Sequence, residues 1–255
     1  YAVVDYFASY RAAVRAKVAL ITASEPEISA EQRSRAAESA RRHLELAAGS
    51  LSPRPPGGLV LVGGVVGSGK SSASEVLAEA FGGSPGAAVI ASDRVRKHLV
   101  GLPATAHVTA PRDAGLYAPE ARRRVYREVL ERARAVAASG RVAILDATWS
   151  GAAQRAEARA LAAELGGACW FVETRCPREI ALARLARRAA DARDASDAGP
   201  ELHAQSVARF DAFDPSLEGR RWTLDTDRPA WRDGVVRIAA ELAAGLTGGT
   251  GAGGA

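Results

Sequence analysis

Ten residues, GGVVGSGKSS from Gly63 to Ser72, restrict the possible folds of this chain more than any other stretch. An apolar run at 59–62 leads into them, and a helical pattern over 71–81 follows. A strand, a glycine-rich turn and a helix start, in that order, belong at the carboxyl edge of a parallel α/β sheet. The glycines let successive backbone N–H groups turn inward around one point, and the helix N-terminus adds positive potential there. Such a loop is built to hold a phosphate.

Gly64-Val65-Val66-Gly67-Ser68-Gly69-Lys70-Ser71 fits G-x-x-x-x-G-K-[ST]. In that pattern the lysine reaches the β- and γ-phosphates of a nucleotide and the hydroxyl after it ligates Mg²⁺. Gly64, Gly67, Ser68, Gly69, Lys70, Ser71 and Ser72 are therefore the expected contacts to ATP–Mg²⁺. Composition sharpens the point. Of 34 basic residues only Lys17, Lys70 and Lys97 are lysines, so arginine supplies the generic cations and a lysine that persists carries more meaning.

The rest of the composition excludes several classes. Hydrophobic residues make up 47% and charged residues 25%, a globular balance. No apolar run has bilayer length and no signal peptide stands at the start, so the cytoplasm is the expected location. Cys169 and Cys176 match no metal or redox spacing, and His43, His98, His107 and His203 are scattered. The net charge of +5 is spread along the chain, so nucleic acid is not an expected partner.

Two amphipathic helices are expected before the loop, over 1–21 and 29–48, the second opened by Ser29 with Gln32 three places on. Two helices bury no core alone, so their apolar face is expected to dock on the rest of the chain. Residues 51–58 read as a linker, 59–246 as the nucleotide-binding domain and 247–255 as a disordered tail. Within the domain, apolar runs at 59–62, 87–91, 142–145, 168–172 and 222–224 alternate with helical stretches near 70–81, 94–100, 119–138, 152–165, 177–190 and 231–246. That alternation predicts a doubly wound, parallel, five-stranded sheet with helices on both faces. Its ligand site lies at the carboxyl ends of the strands.

Two carboxylates fall at such ends. Asp93 closes the second run, where it can accept a proton from a hydroxyl facing the γ-phosphate, or where it or Ser92 can cap the helix that follows. Asp146 closes VAILD, where it can orient Mg²⁺ or cap the following helix, a role for which Thr148 and Ser150 compete. Neither pairs with a histidine or serine as a hydrolase would require, and phosphoryl transfer asks mainly for position and charge. After Pro177, a helix carries Arg184, Arg187 and Arg188, with Arg193 beyond. Arg184 and Arg188 are one turn apart, and their planar forks suit phosphoryl oxygens as well as solvent.

GGVVGSGKSS, IASDRVRKHL, VAILDATWSGAAQR, RLARR and LDTD follow one another in the order of a known family. From Gly63 to Thr226 the chain resembles the P-loop kinases that include zeta toxins, gluconate kinases and polynucleotide 5′-kinases. The resemblance implies that Asp93 is the base, that Arg96 or Arg155 holds acceptor or phosphate, and that Arg184 and Arg188 belong to a lid with a catalytic role. It places Asp225 and Thr226 near the adenine. Residues 1–48 resemble the last helices of an aminoglycoside-phosphotransferase-like fold, which implies a fused upstream domain; the lack of an initiating Met accords with that expectation. The stretch 102–120 is expected to line the acceptor pocket. With only Tyr117 as an aromatic, it lacks the groove that a polynucleotide requires.

The expected function is thus ATP–Mg²⁺-dependent phosphorylation of a hydroxyl on a small polar molecule, such as a sugar or nucleotide sugar. A nucleotide-binding regulatory module without transfer activity and a polynucleotide 5′-kinase are the alternatives.

Overall fold

The computed structural model describes residues 2–52, 54–82, 86–104, 106, 118–189 and 202–248. Tyr117, Arg193, most of the stretch expected to line the acceptor pocket, and the tail from 249 onward lie outside the described residues. The chain divides into two compact units, Tyr1–Pro55 and Pro56–Ala255.

The first unit is a hairpin of α1 (Ala2–Ser24) and α2 (Ala30–Leu51). Ser29 caps α2 in the reciprocal arrangement expected from its spacing: the Gln32 N–H donates to Ser29 Oγ and the Ser29 N–H to Gln32 Oε1. Small residues are the ones buried here: Ser9, Ala12 and Ala16 on α1, and Ala40, Ala47 and Ser50 on α2. Ser9 Oγ donates to the Ala47 carbonyl oxygen at 2.9 Å. A seam of alanines and serines lets backbones approach closely. The large apolar side chains, Val3, Phe7, Tyr10, Val14, Val18 and Ile21 among them, stand exposed.

The second unit is built on five parallel strands: β1 (Leu59–Gly63), β2 (Ala87–Ala91), β3 (Val142–Asp146), β4 (Cys169–Arg175) and β5 (Arg221–Asp225). They are ordered β2-β3-β1-β4-β5, as a doubly wound sheet requires. The strands β1 and β3 are buried throughout, so the period of two sorts their side chains between two apolar layers. Leu59, Leu61, Ala143, Leu145 and Phe171 face α5 (Pro119–Ala137) and α6 (Ala152–Glu164). Val60, Val62, Val142, Ile144, Val172 and Leu224 face α3 (Lys70–Phe81) and α10 (Trp231–Gly248).

All five expected strands and six expected helices are present. The helix placed at 94–100 begins two residues earlier, as α4 (Ser92–His98), and α7 is Arg178–Ala189. Two short helices, α8 (Leu202–Ala208) and α9 (Pro215–Glu218), fall in a stretch that reads as featureless in sequence. Register places the key carboxyl ends together: Ala91 lies beside Asp146, Val62 also beside Asp146, and Gly63 beside Glu173.

Candidate nucleotide and acceptor site

The loop from Gly64 to Gly69 joins the end of β1 to α3 and cannot be built from other residues. Gly64 has φ +137°, and a Cβ there would meet the Thr174 carbonyl oxygen at 2.4 Å. Gly69 stands at the start of α3 with φ 90° and ψ 17°, the left-handed region that costs an L side chain energy. No side chain caps α3, so its first N–H groups remain for an anion. The Ser68 side chain is fully buried and braces the loop: its Oγ lies 2.7 Å from Thr174 Oγ1, which donates to the Gly63 carbonyl oxygen at 3.0 Å. Ser72 is exposed on α3.

Lys70 Nζ donates to the Val65 carbonyl oxygen at 2.9 Å, which lays the ammonium across the mouth of the loop. Burial pushes its pKa down and the Arg188 guanidinium adds to that, while Asp146 and Asp93 hold it up. Asp146 is only 7% exposed. Burial pushes its pKa up, Lys70 and a hydrogen bond from Ser71 oppose this, and the charges of Asp93 and Glu75 raise it further. Lys70, Ser71, Asp93, Asp146 and Arg188 therefore form one electrostatic group at the carboxyl ends of β1, β2 and β3.

Asp93 is an ion-pair partner of Arg96, one turn along α4, and its side chain remains 39% exposed. It does not cap α4. The cap position is Ala91, which has no side-chain hydrogen bond to give. Asp146, Thr148 and Ser150 do not cap α6 either; Asp211, distant in sequence, accepts from the Ala152 N–H at 2.8 Å. Thr148 instead lies 3.1 Å from Tyr126 Oη, which also accepts from the Trp149 N–H. Trp149 is fully buried with φ 49°, a conformation rare for so bulky a residue and held here by packing against Tyr126 at 5.0 Å. Backbone strain of this kind gathers at functional loops.

Two of the arginines expected at the site are tied by bonds within the fold. Arg155 stands apart from the charged group. It is 1% exposed, and its nitrogens donate to the Glu218 carboxylate and to the main-chain oxygens of Trp149, Ser150, Asp211 and Ala212. No donor is left for an acceptor or a phosphate, and Arg155 is a structural clamp. Arg184 is bound to Thr226 through both the hydroxyl and the carbonyl oxygen, each at 2.8 Å. Thr226 Oγ1 also donates to the Ser68 carbonyl oxygen at 2.8 Å, so Arg184 and Thr226 brace the loop from its α3 side. Asp225 pairs with Arg228. His203 and Ser206 on α8 also touch the loop, and no sequence motif announces either.

The arrangement fits Mg²⁺ carried in with a nucleotide. Such an ion keeps most of its water and takes one or two protein ligands plus phosphate oxygens. Ser71 beside Asp146 is a donor pair of that kind, and the described residues hold no cluster of three or more His, Cys, Asp or Glu side chains suited to a metal. Among the described residues no helix is long and apolar enough to cross a membrane.

Fold and site together define a P-loop nucleotide-binding protein. The chain belongs to the AAA-domain family, whose model matches residues 59–213. Uncharacterized proteins of Mycobacterium tuberculosis and Mycobacterium bovis are 37% identical to it over 230 residues. The match covers 89% of this chain and 42% of theirs, so the chain spans less than half the length of these relatives. A putative kinase from Chloroflexus aurantiacus shares the fold with a TM-score of 0.56 at 16% identity, covering 74% of this chain and 98% of that one. Kti12 from Chaetomium thermophilum, in complex with ADP-AlF3, gives 0.55 at 15% identity over 72% and 98%. The APS kinase CysC of Mycobacterium tuberculosis, in complex with AMPPNP and APS, gives 0.50 at 23% identity over 74% and 99%. At these identities the likeness is one of fold.

Proposed function

We propose that this chain is an ATP–Mg²⁺-dependent kinase that transfers the γ-phosphoryl group to a hydroxyl of a small polar acceptor. The supporting observation is the placement of Asp93. It lies within electrostatic reach of both Lys70 and Asp146, is partly open, and caps no helix. A module that only bound nucleotide would have no use for a second carboxylate there, whereas transfer needs a group to take the acceptor's proton. In this reading Lys70 and Arg188 neutralise charge on the transferred group, Ser71 and Asp146 hold the metal, and Asp93 accepts the proton while Arg96 orients it. The acceptor oxygen forms the new bond to phosphorus as the bond to the bridging oxygen of ADP breaks.

The test is a transfer screen with labelled ATP against sugars, nucleotide sugars, aminoglycosides and oligonucleotide ends, repeated with Asp93→Asn. Loss of a general base lowers the rate about 10²–10⁴-fold. The expected outcome is that collapse with ATP affinity held within a few-fold. An acceptor that Asp93→Asn phosphorylates at the wild-type rate would refute the base assignment.

A second reading concerns the hairpin. We propose that it belongs to an upstream phosphotransferase-like domain. The length of the mycobacterial relatives and the exposed apolar side chains of α1 support this.

A further inference from the structure

The helix α8 meets the phosphate loop through two side chains outside the G-x-x-x-x-G-K-[ST] pattern. His203 Nδ1 lies 3.0 Å from the Val66 carbonyl oxygen, and the Val66 N–H donates to Ser206 Oγ at 3.1 Å. A carbonyl can only accept, so His203 Nδ1 carries the proton and donates it. Residues three apart share one face of a helix. One face of α8 thus holds both main-chain groups of a single loop residue. Both side chains are buried, His203 at 5% and Ser206 at 6% exposure.

The position of Val66 gives this contact its meaning. Lys70, the residue that serves the β- and γ-phosphates in such loops, has its Nζ on the carbonyl of Val65, the neighbour of Val66. Residues 65 and 66 therefore border the terminal-phosphate end of the cradle, while the free N–H groups at the start of α3 border the other end. At the terminal end the Val66 N–H is already committed to Ser206. Ser206 Oγ accepts that bond and, among the described residues, gives its own proton to no partner. A buried hydroxyl with a proton still to donate is unusual in a folded interior.

We propose that Ser206 is a terminal-phosphate-binding residue: its hydroxyl donates to a γ-phosphate oxygen while the Val66 N–H holds its oxygen in place. His203 is the positioning residue that fixes Val66 and, with it, the distance between α8 and the loop. The proposal rests on the nucleotide reading above and adds a contact that distinguishes ATP from ADP.

Calorimetric titration of the intact chain with ATP and with ADP, both with Mg²⁺, tests this without an acceptor. Ser206→Ala should weaken ATP about tenfold or more, the range of a charge-assisted hydrogen bond, and leave ADP within about twofold. Ser206→Thr keeps the hydroxyl and should keep the wild-type ATP-to-ADP ratio. His203→Ala should lower the ratio, and His203→Asn, whose amide can donate from nearly the Nδ1 position, should restore most of it. If Ser206→Ala fails to fold, Ser206→Cys carries the test, since a thiol of similar size donates weakly and should also lower the ratio. Equal weakening of both nucleotides, or no change in either, overturns the proposal and leaves Ser206 a packing residue. Wild-type protein that binds neither nucleotide overturns the nucleotide reading as well, and the two failures are thereby distinct.

Discussion

Burial opposes both charges at the centre of the site. Asp146 has its pKa raised above the ordinary 3.8, first by desolvation and then by Asp93 and Glu75. The folded chain therefore binds more protons than the unfolded chain between 3.8 and the raised value, and stability falls as pH rises through that window. Lys70 has its pKa lowered from 10.5, first by desolvation, so its share of stability falls as pH drops from 10.5 through the lowered value. Holding either group in its charged form costs folding free energy that bound phosphate and metal would offset. Asp146→Asn resembles the protonated form and keeps an acceptor for Ser71. Because the charged carboxylate is opposed by burial, the variant should melt higher than the wild type at pH 7. The same variant should show a flatter stability profile on the alkaline side of 3.8 and lose the Mg²⁺ dependence of ATP binding. A lower melting temperature would place Asp146 among the stabilising charges. Lys70→Ala is expected to abolish measurable ATP binding in calorimetry, and Lys70→Arg to fail also, because a planar fork does not replace a compact ammonium in so tight a loop.

At the level of elements, the segment from α8 to α9 runs from the phosphate loop to the turn after β3. Ser206 and His203 hold Val66 at one end. At the other, the Asp211 N–H donates to the Ser150 carbonyl oxygen at 2.8 Å, and Glu218 closes a buried ion pair with Arg155 and Arg159. None of this is legible in the sequence. The strands were, because β1 and β3 are short apolar runs ended by Gly63 and Asp146, and the long helices were, because their apolar spacing is 3.6. The segment 202–218 has neither period, and nothing in the sequence corrects the ligand role that the resemblance implies for Arg155, because a buried arginine and a phosphate-binding one are the same letter. What separates them is Glu218, 63 residues away. Removing one partner of a buried ion pair costs about 3–5 kcal/mol, and each 1 kcal/mol is worth about 2–4 °C. Arg155→Ala should therefore melt about 6–20 °C lower, and more steeply than Glu218→Ala, because it also abandons four main-chain oxygens. A variant that melted normally but had a raised acceptor KM would return Arg155 to the acceptor site.

On the scale of the whole molecule, the hairpin of Tyr1–Pro55 is ordered on grounds that leave its apolar character unspent. Its seam is made of Ser9, Ala12, Ala16, Ala40 and Ala47, with a hydrogen bond from Ser9 to the Ala47 carbonyl. Val3, Phe7, Tyr10, Val14, Val18 and Ile21 fall on α1 at intervals of three and four, one stripe of a helix, and each is more than 40% exposed. An exposed apolar stripe of that length is a surface for another part of a protein. The sequence pattern announced the stripe, but not that small residues, rather than large ones, would make the seam. Pro56–Ala255 carries its own two apolar layers and the whole charged group around Lys70. A chain shortened to residues 56–255 should therefore keep ATP affinity within about twofold by calorimetry. It should also lose most of the 1-anilinonaphthalene-8-sulfonate fluorescence of the full chain, since the dye reports exposed apolar surface. Replacing Phe7, Val14 and Val18 together by Gln in the full chain should reduce that fluorescence without lowering the melting temperature by more than about 2 °C, because surface changes away from packed contacts cost little. A large drop in melting temperature from the triple replacement would mean instead that the stripe is packed in solution, and the surface would have to be sought on α2.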